Sequence, residues 1–515
     1  MMQINYNPDV LTCLANLSND EVFTPPGLVN QMLDLLPPEL WSNPDAKFLD
    51  PVTKTGVFLR EMAKRLMKGL EPHFPDQQQR INHIFYHQLY GIAITELTSL
   101  LARRSVYCSK IANGKYSVCE TFDTEQGNIL FSKTNHAWQN GKCAFCGANQ
   151  EVYERDDALE TYAYQFIHTH QPEKIFNMKF DVIVGNPPYQ LSDGGFGKSA
   201  APIYHKFVHQ AKKLNPNYLT MIIPSRWFAG GKGLDDFRSE MLNDNRIRKI
   251  VDYENAGECF PGVDIAGGIC YFLWEKDHKG SCDVVNVVNG NETHSVRALN
   301  EFPTFIRNSN AVPIIRKVLS INEKTMNSMV SSRKPFGIPT NGRPQPSGDI
   351  ILRWQNGEGP YNRNEIITGT EMIDSWKVIT SYVGYDHAGN PGKDGKRKVF
   401  SKIDILPPGT VCTETYLVIG AFNSEIEAQN LVGYMKSRFF RFLVSQFMYS
   451  HHIAKESYQF VPIQDYHESW SDEKLYKKYG LTEEEIAFIE SMIRPMEITP
   501  PQDSQDEQDI NDKNE

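Results

Sequence analysis

One stretch constrains this chain more than any other: Lys179-Phe-Asp-Val-Ile-Val-Gly-Asn-Pro-Pro-Tyr-Gln190. Phe180 to Val184 is a short β-branched apolar run, the pattern of a buried parallel strand, and it stops at Gly185-Asn186-Pro187-Pro188-Tyr189. Two consecutive prolines offer no N–H to a sheet ladder, so Asn186 and Tyr189 are displayed just past the strand's carboxyl end. Open α/β sheets take their ligands there. The competing reading is a tight turn whose tyrosine packs on the nearest helix.

The surrounding chain repeats the alternation of strand and helix. Phe23-Thr24-Pro25 precedes a stretch of helical period, Leu28 to Leu36. Lys47-Phe-Leu-Asp-Pro-Val-Thr-Lys-Thr-Gly-Val-Phe-Leu59 then reads as strand, glycine turn and helix start, with Gly56 placed for close backbone approach. Leu89 to Thr95 is a second strand, followed by an amphipathic helix from Glu96 to Tyr107. Tyr116 to Cys119 is a short third strand, with Thr121 to Thr124 at its end. After the Asn-Pro-Pro-Tyr turn come a glycine-rich loop (Leu191 to Gly197), a helix (Ile203 to Ala211), a fifth strand (Tyr218 to Pro224), a sixth (Ile247 to Tyr253), and a turn through Phe260 into a last strand ending at Trp274. The expected class is α/β, with a doubly wound, mostly parallel sheet.

At 515 residues the chain is too long for one ordinary core, so several domains are expected. The reading is an N-terminal helix over 1–20, an α/β domain over 21–299 with an insertion at 125–172, an α+β region over 300–498, and an acidic, disordered tail over 499–515. No apolar run approaches the ~18–20 residues of a membrane helix, and the first residues lack a signal-peptide pattern, so the expected location is the cytoplasm, with no membrane partner. The net charge of −10 leaves nucleic-acid binding open, because phosphate contacts depend on a local basic surface rather than on the sum.

The insertion carries Cys143-Ala-Phe-Cys146, flanked by Gly141 and Gly147, which is half of a zinc knuckle. His136 is the third candidate ligand. We take Cys108 as the fourth, with Cys119, His168 and His170 competing for that place. Structural zinc stands against unmetallated thiols and a redox pair. Nine cysteines, an odd number scattered through a long chain, argue against a disulfide framework.

Beyond residue 300 the alternation stops. A turn-rich segment (Gly337 to Gly348) leads to strands at Ile350–Trp354 and Lys377–Val383. A helix is expected from Asn430 to Phe447, carrying Lys436, Arg438 and Arg441 among aromatics. Arginine interleaved with aromatic rings suits a nucleic-acid surface, although a solvated face is the commoner reading.

Asn186-Pro-Pro-Tyr189 after the fourth strand, Phe23-Thr-Pro25 before the first, and Asp50-Pro51, Gly56, Phe58 and Leu59 in the signature Asp-Pro-x-x-Gly-x-Gly-x-Phe-Leu resemble the gamma-class, TaqI-like adenine-N6 DNA methyltransferases of restriction-modification systems. The likeness is good over about residues 20–275. It implies the S-adenosylmethionine-dependent methyltransferase fold, a C-terminal DNA target-recognition region, duplex DNA as partner, and cleavage, if any, by a separate restriction endonuclease subunit. It also implies that Phe23, Thr24 and Pro25 hold the methionine end of S-adenosylmethionine, together with Asp50, Pro51 and Gly56. Glu96 takes the ribose or only balances a helix dipole, and Asp123 lies near the cofactor's adenine amino group. By the same likeness Asn186 and the Pro187 carbonyl would accept the two hydrogens of a target amino group, with Pro188 in the turn and Tyr189 stacking on the base; Phe260 either covers the base's other face or is ordinary packing in a phenylalanine-rich chain. Lys54 and Thr55 depart from the signature; Lys54 is expected to point outward, toward phosphate. A methyltransferase for RNA or protein glutamine, and a non-catalytic DNA-specificity subunit, are the rival readings.

Overall fold

The computed structural model describes residues 23–153, 163–191, 201–231, 233–263, 265, 267–386, 392, 394–448 and 452–496. The expected helix over 1–20, most of the glycine-rich loop after Leu191 and the acidic tail lie outside them. The chain divides into two compact units, residues 1–309 and 310–515.

The first unit is built on one nine-stranded sheet. Its strands are β1 (Phe48–Thr53), β2 (Leu89–Ala93), β3 (Ile129–Leu130), β4 (Val182–Gly185), β5 (Tyr218–Pro224), β6 (Ile247–Tyr253), β7 (Ile269–Glu275), β8 (Cys282–Val288) and β9 (Asn291–Arg297). They lie in the order β9-β8-β6-β7-β5-β4-β1-β2-β3. Strands β3, β2, β1, β4 and β5 pair in parallel, whereas β7 runs antiparallel to both β5 and β6. All residues of β1, β2 and β4 are buried, as a parallel strand covered on both faces requires.

From β1 the chain winds outward to β2 and β3, then returns to β4 on the other side of β1. The order reverses between β1 and β4, which is the topological switch point. Four helices concern the site: α1 (Pro26–Leu33), α2 (Val57–Gly69), α3 (Glu96–Tyr107) and α4 (Tyr204–Lys213).

Two expectations fail here. Tyr116–Cys119 is not a strand; the third strand is the two-residue β3, too short to give a periodic signal. The sheet also continues past β7 into the β8-β9 hairpin, whose outer strand exposes Glu292, His294 and Val296, a charged edge that discourages further pairing.

The second unit holds two three-stranded sheets. Ile350–Trp354 sits between Gly357–Tyr361 and Thr410–Cys412, and Trp376–Ser381 sits between Ile403–Leu406 and Tyr416–Phe422. The helix expected from Asn430 to Phe447 is two helices, Glu425–Lys436 and Arg438–Ser445, broken at Ser437. Ser437 is extended (ψ 150°), and its hydroxyl accepts from Phe440 N while donating to Tyr434 O. Arg441, expected on a basic surface, is instead fully buried, and its guanidinium donates to the Lys436 and Ser437 carbonyls at the end of the preceding helix.

Candidate active site

The loop after β1 turns sharply into α2, and Gly56 makes the turn. Its φ is +74°, and a Cβ there would lie 3.0 Å from Val106 Cγ2 and 3.1 Å from the Ala102 backbone, both on α3. Only glycine meets both conditions. Asp50, within β1, is 2% exposed. Its Oδ1 accepts from Val52 N at 3.1 Å. Burial pushes the carboxyl up to about 7, opposed by the Val52 N–H, the Thr53 hydroxyl and the charge of Lys54.

Phe23, Thr24, Asp50, Lys54, Gly56 and Asn186 line one cavity, with Val52, Thr55, Val57 and Phe58. This corrects the expectation for Lys54, which is buried and faces this cavity rather than solvent. Pro51 is buried beside it. The Phe23-Thr24-Pro25 segment is held there by α1, which Pro25 N-caps. Asn30 of α1 donates to Glu61 and accepts from Arg65, both on α2, and Arg65 also pairs with Asp34.

Asn186 enters from β4. It is 3% exposed, and its Nδ2 donates to Thr24 Oγ1 at 3.0 Å. That bond fixes the amide's orientation, with Nδ2 turned toward Thr24 and the acceptor Oδ1 on its other side. Gly185 lets β4 approach β1, since a Cβ there would meet Val52 Cγ2 at 2.6 Å. Pro187 and Pro188 are buried, so the turn is rigid. Tyr189 is part-exposed, yet its hydroxyl is shielded from solvent. Burial holds that phenol well above its usual range, reinforced by Cys259 and Cys270 and opposed by Asn186. The ring therefore keeps its acidic end inside and packs against the core.

The other expected residues are placed less uniformly. Glu96 opens α3 just past the carboxyl end of β2, exposed. Asp123 is not brought to the cavity: its side chain accepts from Tyr86, which precedes the amino end of β2, on the opposite rim of the sheet. Its assignment depended on the strand at 116–119, which does not form. Phe260 is only 2% exposed and packs in the core against which Tyr189 rests. To face a base, its ring would have to leave that core.

A second cluster lies between β3 and β4. His136, Cys143, Cys146 and His168 offer ligand atoms all within 4.8 Å of one another. Cys143 Sγ lies 3.5 Å from His168 Nε2, and Cys146 Sγ lies 3.4 Å from His136 Nδ1. Cys108 is not among them; it is exposed at the left-handed C-cap of α3. His168, one of the competitors in the sequence, takes its place, because a turn spanning 164–168 carries the imidazole back onto the knuckle. Burial, with the nearby His136 and Lys206, lowers the His168 pKa to about 4, which keeps the ring neutral.

A cavity with buried polar groups at the switch point of an open sheet is where doubly wound α/β proteins bind ligands. Residues 87–260 match the model of the Eco57I restriction-modification methylases. Over 299 residues the chain is 40% identical to a Mycoplasma pneumoniae protein described as an uncharacterized adenine-specific methylase, covering 53% of this chain and 71% of that one. The chain belongs to this restriction-modification methylase family. Among solved structures it is similar to a nuclease-deletion mutant of the Type ISP enzyme LlaGI in complex with a DNA substrate mimic, at 11% identity and a TM-score of 0.47, over 88% of this chain and 47% of that one. It is also similar to a modification subunit of a putative type I restriction enzyme from Vibrio vulnificus YJ016, at 15% identity and a TM-score of 0.33, over 55% and 51%. The chain thus spans about half the length of these two structures. Among the described residues no helix is long and apolar enough to cross a membrane.

Proposed function

We propose that this chain transfers a methyl group from S-adenosylmethionine to the N6 amino group of an adenine turned out of duplex DNA. The observation that carries the reading is the Asn186 amide, fixed by Thr24, beside a small cavity lined by Asp50 and Lys54. The cofactor's methionine end is a zwitterion on a sulfonium. A buried carboxyl (Asp50) and a buried amine (Lys54) in one cavity offer opposite charges to its ammonium and carboxylate. Phe23 and Thr24 form one wall, with Pro25 behind them at the start of α1, Gly56 lines another, and Glu96 is the candidate for the ribose.

When bound, the cofactor supplies an electrophilic methyl on sulfur. An exocyclic amino group conjugated to a purine is a poor nucleophile. Asn186 Oδ1 and the Pro187 carbonyl accept its two hydrogens, orient its lone pair and stabilise the positive charge that builds on nitrogen during attack. The Tyr189 ring is the candidate stacking surface for the base. Phe260 joins only if the base draws it from the core. The second unit is the candidate for reading the DNA sequence, and a separate subunit would supply any cleavage.

The test is incubation of the purified chain with labelled S-adenosylmethionine and, in separate arms, duplex DNA, total RNA and total protein. Label appearing as N6-methyladenine in DNA, and lost in Asn186→Ala with cofactor binding retained, is the expected result. Label confined to RNA or protein, or full activity in Asn186→Ala, overturns it.

A further inference from the structure

We propose that His136, Cys143, Cys146 and His168 bind one structural zinc ion, and that this ion braces the turn bearing Tyr189 through α4. Zinc bound to thiolate at about 2.3 Å and imidazole at about 2.0–2.1 Å, with tetrahedral angles, sets sulfur and nitrogen about 3.6 Å apart. The two S···N separations of 3.5 and 3.4 Å already match that edge. The imidazole centroids of His136 and His168 are 5.2 Å apart, a spacing that two rings bound to one tetrahedral centre reach.

The surrounding bonds orient the ligands as zinc sites do. His168 Nδ1 lies 2.8 Å from the Tyr164 carbonyl; donating to it puts the proton on Nδ1 and leaves the Nε2 lone pair for the ion. Ala148 N donates to Cys146 Sγ at 3.4 Å. The short hairpin Trp138–Gln139 to Lys142–Cys143 turns through Asn140 and Gly141, both at positive φ, and Gly147 (φ +82°) closes the knuckle. Both sulfurs are buried, and neither is in a disulfide. Two thiols and two imidazoles converging on one point are a ligand set that a single cation holds together.

From the cluster a continuous set of contacts runs to the base-binding turn. Phe145, between the two cysteines, accepts from Lys206 Nζ of α4. Gln210 of α4 donates to the carbonyls of Phe166 and Thr169, on either side of His168. At the start of α4, Ile203 N donates to Tyr189 O at 3.1 Å. An ion that fixes the knuckle therefore fixes the helix that anchors Tyr189. The metal has no part in methyl transfer; only the purpose of the brace rests on the methylase reading.

The full chain, expressed with added zinc and purified without chelator, should carry one zinc per chain by elemental analysis. Cys143→Ser/Cys146→Ser and His168→Ala should each retain less than about a tenth of that, whereas Cys108→Ser should retain all of it. Cobalt added to the metal-free parent should give the intense absorption bands of tetrahedral thiolate coordination, a readout independent of whether any variant folds. Absence of stoichiometric zinc together with absence of those bands overturns the site, as does full metal content in the double variant. For the brace, removing zinc should speed hydrogen exchange at Ile203 N–H and through α4 at least tenfold; unchanged exchange overturns it. None of these readouts involves methyl transfer, so loss of the methylase reading leaves them standing, and the reverse.

Discussion

Thr24 Oγ1 and Asn186 Nδ2, 162 residues apart in sequence, meet in a buried hydrogen bond of 3.0 Å. The bond joins the segment ahead of the first strand to the turn after the fourth, and it fixes the orientation of the Asn186 amide. Thr24→Val keeps the shape and removes the acceptor. The Asn186 NH2 then lacks that partner, and the amide is free to rotate, so methyl transfer should fall about 10- to 100-fold in kcat, in line with about 1–3 kcal/mol for a lost buried partner. Thr24→Ser should recover most of the rate. Single-turnover kinetics at saturating cofactor check this, and a Val variant with parental kcat would refute the orienting role.

Asp50 predicts a pH dependence. With its carboxyl raised to about 7 by burial, it is largely protonated below that pH in the ligand-free protein. A cationic ligand stabilises the ionised form, so S-adenosylmethionine should bind more tightly as pH rises toward about 7 and then level off, approaching a tenfold gain per pH unit well below it. Asp50→Asn should flatten the profile. Calorimetric titration across the range gives the answer; an affinity that declines with rising pH contradicts the charge pairing. The stability sign is the reverse. The folded chain keeps a proton that the unfolded chain releases near 3.8, so this residue costs stability as pH climbs between 3.8 and about 7.

Gly56→Ala should strain the turn into α2. Left-handed backbone alone costs a non-glycine residue about 1–2 kcal/mol, and the new methyl presses on α3. A lower denaturation midpoint and weaker cofactor binding should appear together. Parental values for both would mean that the loop and α3 relax at little cost.

How far the sequence could be read follows from where its signals are local. The strand ending at Gly185, the glycine turn at Gly56 and the strand at Ile350–Trp354 are written in runs of adjacent residues, and the structure has them. Strand order is not local, so the reversal between β1 and β4 emerged only from the pairing. A two-residue β3 carries no period to detect. The sequence predicts an outward Lys54 because a lysine beside a cationic sulfonium is unfavourable; in the fold it is buried, and the charge of the neighbouring Asp50 carboxyl offsets its own. His168 could not be chosen over Cys108 by spacing, since both lie far from the knuckle in sequence and one turn of backbone decides between them.

Arg441 gives the sharpest contrast between pattern and fold. Read as sequence, it belongs to a run of arginines and aromatics fit for a phosphate backbone; in the fold it is fully buried, closing the carbonyl ends of the helix before it. Burial pushes its guanidinium down to about 10, so it stays charged at neutral pH. Arg441→Met should lower the stability of the second unit by about 1–3 kcal/mol, because charge-assisted bonds are lost and carbonyls are left unsatisfied. A phosphate contact behaves differently: its loss reduces the slope of log affinity against log salt by about 1. Measured well below the unfolding transition, DNA binding by Arg441→Met should keep the parental salt slope. A reduced slope with unchanged stability would return Arg441 to the DNA surface.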